Sequence, residues 1–139
     1  MPPKPAEVRR WLDKALNDWS AARRLFAPGA RGLDTVGFHC QQAVEKLLKA
    51  YLLANDVEFE KTHDLHRLLR QCAACDTAFE TFRTTVPPLT LYAIAFRYPG
   101  PAEPERGQVA QALAVVDRMW QFVTARLPAD EVPPMPEEW

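Results

Sequence analysis

The sequence predicts an all-α fold, an antiparallel bundle of four to five helices. Three observations point there. Apolar residues recur at helical spacing along most of the chain. No stretch alternates with period two for long enough to make a convincing strand. The 13 prolines fall mostly at the ends of the helical stretches and in the tail, where they punctuate a bundle rather than prevent one. A length of 139 residues suits one domain with one core, residues 1–127, followed by a Pro-rich acidic tail over 128–139.

The first helix is expected over 7–26, with Val8, Trp11, Leu12, Ala15, Trp19, Ala22 and Phe26 on one stripe. Pro28 and Gly29 end it. The second runs from about Asp34 to Asn55. Val36, Cys40, Ala43, Val44, Leu47, Ala50, Tyr51 and Ala54 share one arc, and His39, Gln42, Glu45, Lys46 and Lys49 the opposite one. Asp34 or Thr35 is the candidate N-cap, and Asn55 with Asp56 the closing turn. A third helix is expected from about His63 to Cys75, with Leu65, Leu68, Leu69 and Cys72 inward and Thr62 or Asp64 as cap. A short helical stretch at Thr77–Arg83 separates it from a fourth helix that starts at Pro87-Pro88, faces inward with Leu91, Ile94, Ala95 and Tyr98, and stops at Pro99. The last helix, about Glu105 to Leu127, has a narrow seam at Val109, Leu113, Val116, Trp120, Val123 and Leu127. The tail beyond Pro128, with three further prolines and four acids, is expected to be extended or disordered.

Charge and cysteine usage exclude several classes. Lys plus Arg number 17 against 18 Asp plus Glu, which argues against a chain whose main work is neutralising many phosphates. The balance is uneven, net +3 over the first seventy residues and −4 over the rest, and leaves room for a local basic surface. Three cysteines cannot build a disulfide framework, no apolar core follows the basic start, and no window approaches the roughly 20 apolar residues of a membrane span. A cytoplasmic protein without membrane attachment is the expectation.

Glycine loops that cradle phosphates are missing, as is any nucleophile elbow. His63-x-x-His66 and Cys72-x-x-Cys75 look like a zinc set. On one helix, however, the two pairs lie about 9 Å apart along the axis and cannot converge on one tetrahedral ion. No metal and no cofactor is therefore assigned. What remains is a polar constellation: His39, Gln42, Lys46 and Lys49 on the second helix, Lys61, Thr62 and His63 in the following loop, and Arg97 with Tyr98 at the end of the fourth helix.

The order FHCQQAVEKLLK over 38–49, KTHDL over 61–65, then Tyr92 and Arg97-Tyr98-Pro99, resembles the HEPN domain (higher eukaryotes and prokaryotes nucleotide-binding), from Trp11 to Trp120. The resemblance implies a HEPN-like bundle of four or five helices, commonly a homodimer and often paired with a minimal nucleotidyltransferase in toxin–antitoxin modules. Some members are metal-independent ribonucleases in which an Arg, an adjacent polar residue and a following His meet across the dimer cleft. Carried over, Arg97 is the motif arginine and Tyr98 the adjacent polar residue, but residues 98–106 read YPGPAEPER and hold no His. An arginine cannot serve as general base at neutral pH. Glu103 or Glu105 could act as one, though acids beside a phosphate repel it, and His39 and His63 are the alternative bases if folding brings them near Arg97.

Three functions follow as expectations. The first is a dimeric domain that binds nucleotide or nucleic-acid phosphate through His39, Gln42, Lys46, Lys49, Lys61, His63 and Arg97 and pairs with a nucleotidyltransferase-type partner. The second is an endoribonuclease toxin that uses Arg97, Tyr98 and His63. The third is a ligand-free dimeric scaffold.

Overall fold

The structure is a computed structural model that describes residues 4–29, 31–96, 98–100, 103–137 and 139. It is all-helical, with no strand among the described residues. Four α-helices, α1 (Lys4–Leu25), α2 (Leu33–Ala54), α3 (Leu65–Cys75) and α4 (Arg106–Thr124), are joined by 3₁₀ segments at Thr77–Phe82 and Pro87–Ala93.

The organising element is α2. Between Val36 and Leu52 none of its residues is exposed, and its apolar positions form the middle of the core. A helix apolar on most of its surface has to be wrapped by others, and α1, α4, α3 and the second 3₁₀ segment all pack on it. α1 runs antiparallel to it. Lys4 donates to the Ala54 carbonyl at one end, and Asp18 meets His39 and Lys46 farther along. α4 runs back along α1, from Arg106, which donates to the Ala27 carbonyl, to Trp120, whose ring lies 5.6 Å from that of Trp19. Phe79 of the first 3₁₀ segment wedges between Tyr51 and Phe122, with centroids at 4.6 and 4.8 Å.

Local chemistry sets the ends. Asp64 caps α3, its carboxylate accepting from His66 N at 3.0 Å. Neither Asp34 nor Thr35 caps α2: the helix begins a residue earlier, at Leu33, behind Gly32 in a left-handed conformation with φ 85°. Asp34 then sits in the first turn, where a carboxylate complements the helix dipole.

Two expectations change. The expected fourth helix is the 3₁₀ segment Pro87–Ala93, and its inward residues are Leu89 and Tyr92, while Leu91, Ile94 and Tyr98 are exposed. Consecutive prolines remove two backbone donors, and a three-residue turn places Val86, Leu89 and Tyr92 on one side, all buried. The segment after Pro128 is not detached. It forms a short 3₁₀ turn at Ala129–Glu131, and Trp139 lies edge-on to Trp19 at 4.4 Å with the Arg23 guanidinium over its ring.

Candidate functional site

The polar side of α2 is a covered network rather than a solvated face. It has two centres, each a carboxylate. Asp18 of α1 receives Lys46 Nζ on one oxygen and His39 Nδ1 at 2.8 Å on the other. Glu45, whose side chain is 5% exposed, receives Lys49 Nζ at 3.1 Å and, on its other oxygen, both Gln41 Nε2 at 3.1 Å and His63 Nδ1 at 2.8 Å. Gln42 donates to Gln41 Oε1 at 2.7 Å, and Gln41 also donates to the His63 carbonyl. Buried polar groups are tolerated only when partnered. Among the described residues no buried side-chain nitrogen or oxygen lacks a hydrogen bond.

Among the described residues Lys49 is the most enclosed cation. Its ammonium lies 5.7 Å from the Trp11 ring and 5.4 Å from that of Phe59, and those two rings meet edge to face at 5.5 Å. The aromatic pair replaces water on the side that Glu45 does not cover.

His63 has a different setting. Its side chain is 71% exposed, yet Nδ1 is held by a nearly buried carboxylate. With Nδ1–H donating to Glu45, Nε2 is left as the outward acceptor, the tautomer a general base requires. The loop that carries His63 is tied to the second 3₁₀ segment by Leu65 N donating to Thr90 Oγ1 at 3.2 Å. That segment is pinned in turn by Tyr92 on Gly37 of α2, where a Cβ would stand 2.1 Å from Tyr92 Cδ1. The segment Pro87–Ala93 is thus fixed between the start of α3, next to the His63 loop, and the first turns of α2.

The sequence-predicted site therefore divides. Lys46, Lys49, His39 and His63 are each engaged by an internal carboxylate, and Gln42 by Gln41. Lys61 and Tyr98 are exposed. Arg97, the motif arginine, lies outside the described residues. Sequence reasoning missed Asp18 altogether. Its signal was present: Asp18 stands seven residues after Trp11, on the apolar stripe of α1, where a carboxylate needs a partner.

The cysteines and the second histidine stand apart from this network. Cys72 donates to the Leu48 carbonyl inside the core at 3.6 Å, and Cys75 is exposed. Among the described residues no three His, Cys, Asp or Glu side chains gather as a metal would need. Burial pushes the Cys40 thiol up to about 12 and raises that of Cys72 as well, so both stay protonated at neutral pH. An aromatic disulfide reagent at mildly alkaline pH is expected to titrate one thiol per native chain, Cys75, and all three after denaturation. A second fast thiol would show that the core around α2 opens readily.

No helix among the described residues is long and apolar enough to cross a membrane. No curated protein and no solved structure matches the chain significantly. The HEPN domain family model matches residues 8–127, from the first turns of α1 to just past the end of α4. With most of its length matched by that model and all its described elements helical, the chain belongs to the HEPN domain family.

Proposed function

We propose that the chain is a cytoplasmic, dimeric HEPN domain that binds the phosphate of a nucleotide or RNA and pairs with a minimal nucleotidyltransferase-type partner. The observation that supports it is the state of the cations. Lys46 and Lys49 already have carboxylate partners, so of the described lysines in the constellation named from the sequence only Lys61 is exposed and without an ion pair, and the resemblance adds Arg97 to it. Such a set suits one or two phosphates rather than a nucleic-acid track. Leu91, exposed in a groove it shares with Gln111 and Val115 of α4, and the exposed side chains of Ile94 and Tyr98 supply apolar surface for the second subunit. Light scattering on the sized peak is expected to give twice the 15.8 kDa chain mass. Calorimetry with ATP and short RNA is expected to show heat that is lost in Arg97→Ala. No heat with either ligand removes the ligand part of the proposal.

One observation favours a second reading, the metal-independent ribonuclease: the Glu45–His63 pair. His63 Nε2 would take the proton from a 2′-hydroxyl as O2′ attacks phosphorus. The 5′-oxygen would leave with a proton from solvent and a 2′,3′-cyclic phosphate would remain. Arg97 would stabilise the charge that develops on phosphorus. Cleavage of single-stranded or structured RNA in the presence of a chelator is expected to fall about 10²–10⁴-fold in His63→Ala, the usual contribution of a positioned acid–base group. Wild-type cleavage at background level removes this reading and leaves the binding one.

A further inference from the structure

We propose that the groove between α3 and the Thr77–Phe82 segment is a second anion site. Its ligand would be the phosphate group of a nucleotide, free or within an RNA strand, held by His66, Arg70 and Arg83.

The groove has a volume of about 550 Å³, within the ordinary range for small-ligand sites. Leu69 and Ala73 are part of its lining and give it an apolar base. His66 and Arg70 stand one turn apart on α3, so they share a face and point to the same side. Arg83 enters from the opposite wall, just past the end of the 3₁₀ segment.

The contrast with α2 carries the inference. Lys46 and Lys49 have their charge answered inside the protein. Arg70, Arg83 and His66 are exposed and, among the described residues, make no side-chain hydrogen bond or ion pair. Their neighbour Arg67 on the same helix does pair, with Glu60 and Asp64, and it does not line the groove. Two guanidiniums that converge from different elements offer a planar donor set suited to phosphate oxygens. Glu80 is the single carboxylate in the lining, and it opposes an anion without a partner of its own.

The test is separated from the proposed function by its variants, which change the groove and leave His63, Lys61 and Arg97 in place. A short 5′-labelled single-stranded RNA is followed by fluorescence anisotropy, and AMP and inorganic phosphate by calorimetry. Arg70→Ala/Arg83→Ala is expected to weaken the tighter-binding probe at least tenfold and to lower the salt dependence of RNA binding by about one to two in log–log slope. Glu80→Gln is expected to tighten it several-fold. Arg9→Ala/Arg31→Ala, which removes the same charge at exposed positions away from the groove, is expected to leave it unchanged. Loss with AMP and phosphate assigns a free nucleotide, and loss with RNA alone assigns a strand. Equal weakening in both double variants, an unchanged Arg70→Ala/Arg83→Ala, or no binding of any probe overturns the proposal. Both arginines are exposed, so matched melting curves exclude misfolding as the cause. If Arg97→Ala leaves RNA binding intact while Arg70→Ala/Arg83→Ala does not, the role proposed for Arg97 fails and the groove stands.

Discussion

Glu45→Ala is expected to destabilise the bundle by about 3–5 kcal/mol, the cost of leaving one member of a buried ion pair without its partner. Three donors lose their acceptor at once: Lys49, Gln41 and His63. His63 is exposed and turns to water, so its share is small. Gln41 is wholly buried, and its Nε2 keeps only the bond to the His63 carbonyl while its Oε1 still accepts from Gln42. Lys49 decides the outcome. Its side chain is 9% exposed, and the rings of Trp11 and Phe59 supply nothing that replaces a carboxylate. For a domain whose whole stability is about 5–15 kcal/mol, that loss is a fifth or more, and a melting point lower by roughly 10–20 °C follows. The double variant Glu45→Met/Lys49→Met removes both charges and keeps volume, and it should recover most of the loss, since apolar replacements of buried pairs are often neutral. Thermal and denaturant melts of wild type, Glu45→Ala and the double variant make the comparison. A double variant as unstable as Glu45→Ala would mean that lost packing, not unpaired charge, sets the cost. The recovered double variant also separates stability from the site, because it folds while His63 has lost the group that orients it.

Gly37→Ala tests the other fixed point. Alanine in place of a helical glycine is ordinarily worth about 0.5–1 kcal/mol in favour of the helix. Here the new Cβ would lie 2.1, 2.3 and 2.7 Å from three atoms of the Tyr92 ring, against an ordinary contact near 3.5–4.0 Å. The ring is itself buried and packs on Phe96 at 5.1 Å, so relief requires the 3₁₀ segment to shift away from α2. Overpacking of this kind costs about 1–3 kcal/mol, which exceeds the propensity gain. Gly37→Ala is expected to lower the melting point by several degrees, and Gly37→Val by more, since its branched side chain adds volume at the same spot. In a Tyr92→Ala background Gly37→Ala should turn neutral or stabilising, because the three atoms nearest the new Cβ are gone and the helix propensity remains. Stabilisation by Gly37→Ala alone would show that Tyr92 is not seated there in solution.

How far the sequence could be read depended on where each partner lay along the chain. α1, α2 and α4 announce themselves because their apolar stripes are local patterns, and Asp64 was a visible cap for α3. The Pro87–Ala93 segment was misread because an α-helical period was applied to it. Counted in threes, Val86, Leu89 and Tyr92 pick out the buried side. The polar residues of α2 were legible as a set but not in their state. Nothing within that helix indicates that Lys46 is met by Asp18 or that Lys49 is roofed by Trp11 and Phe59, since these partners arrive from other elements. The missing motif histidine was legible as a gap. That Glu45 steadies His63 is a tertiary fact, and it needed the loop placed against α2.

The four tryptophans are distributed so that the chain carries its own optical probes. Trp19 touches both Trp120 and Trp139, an indole cluster close enough for excitonic coupling in near-ultraviolet dichroism. Trp11 sits apart, beside Phe59 and the Lys49 ammonium. The dichroic band of the cluster reports the seam where the last residues lie on α1, and the emission of Trp11 reports the roof over the carboxylate network. Events at these two places, about 12 Å apart along α1, can therefore be followed without a label.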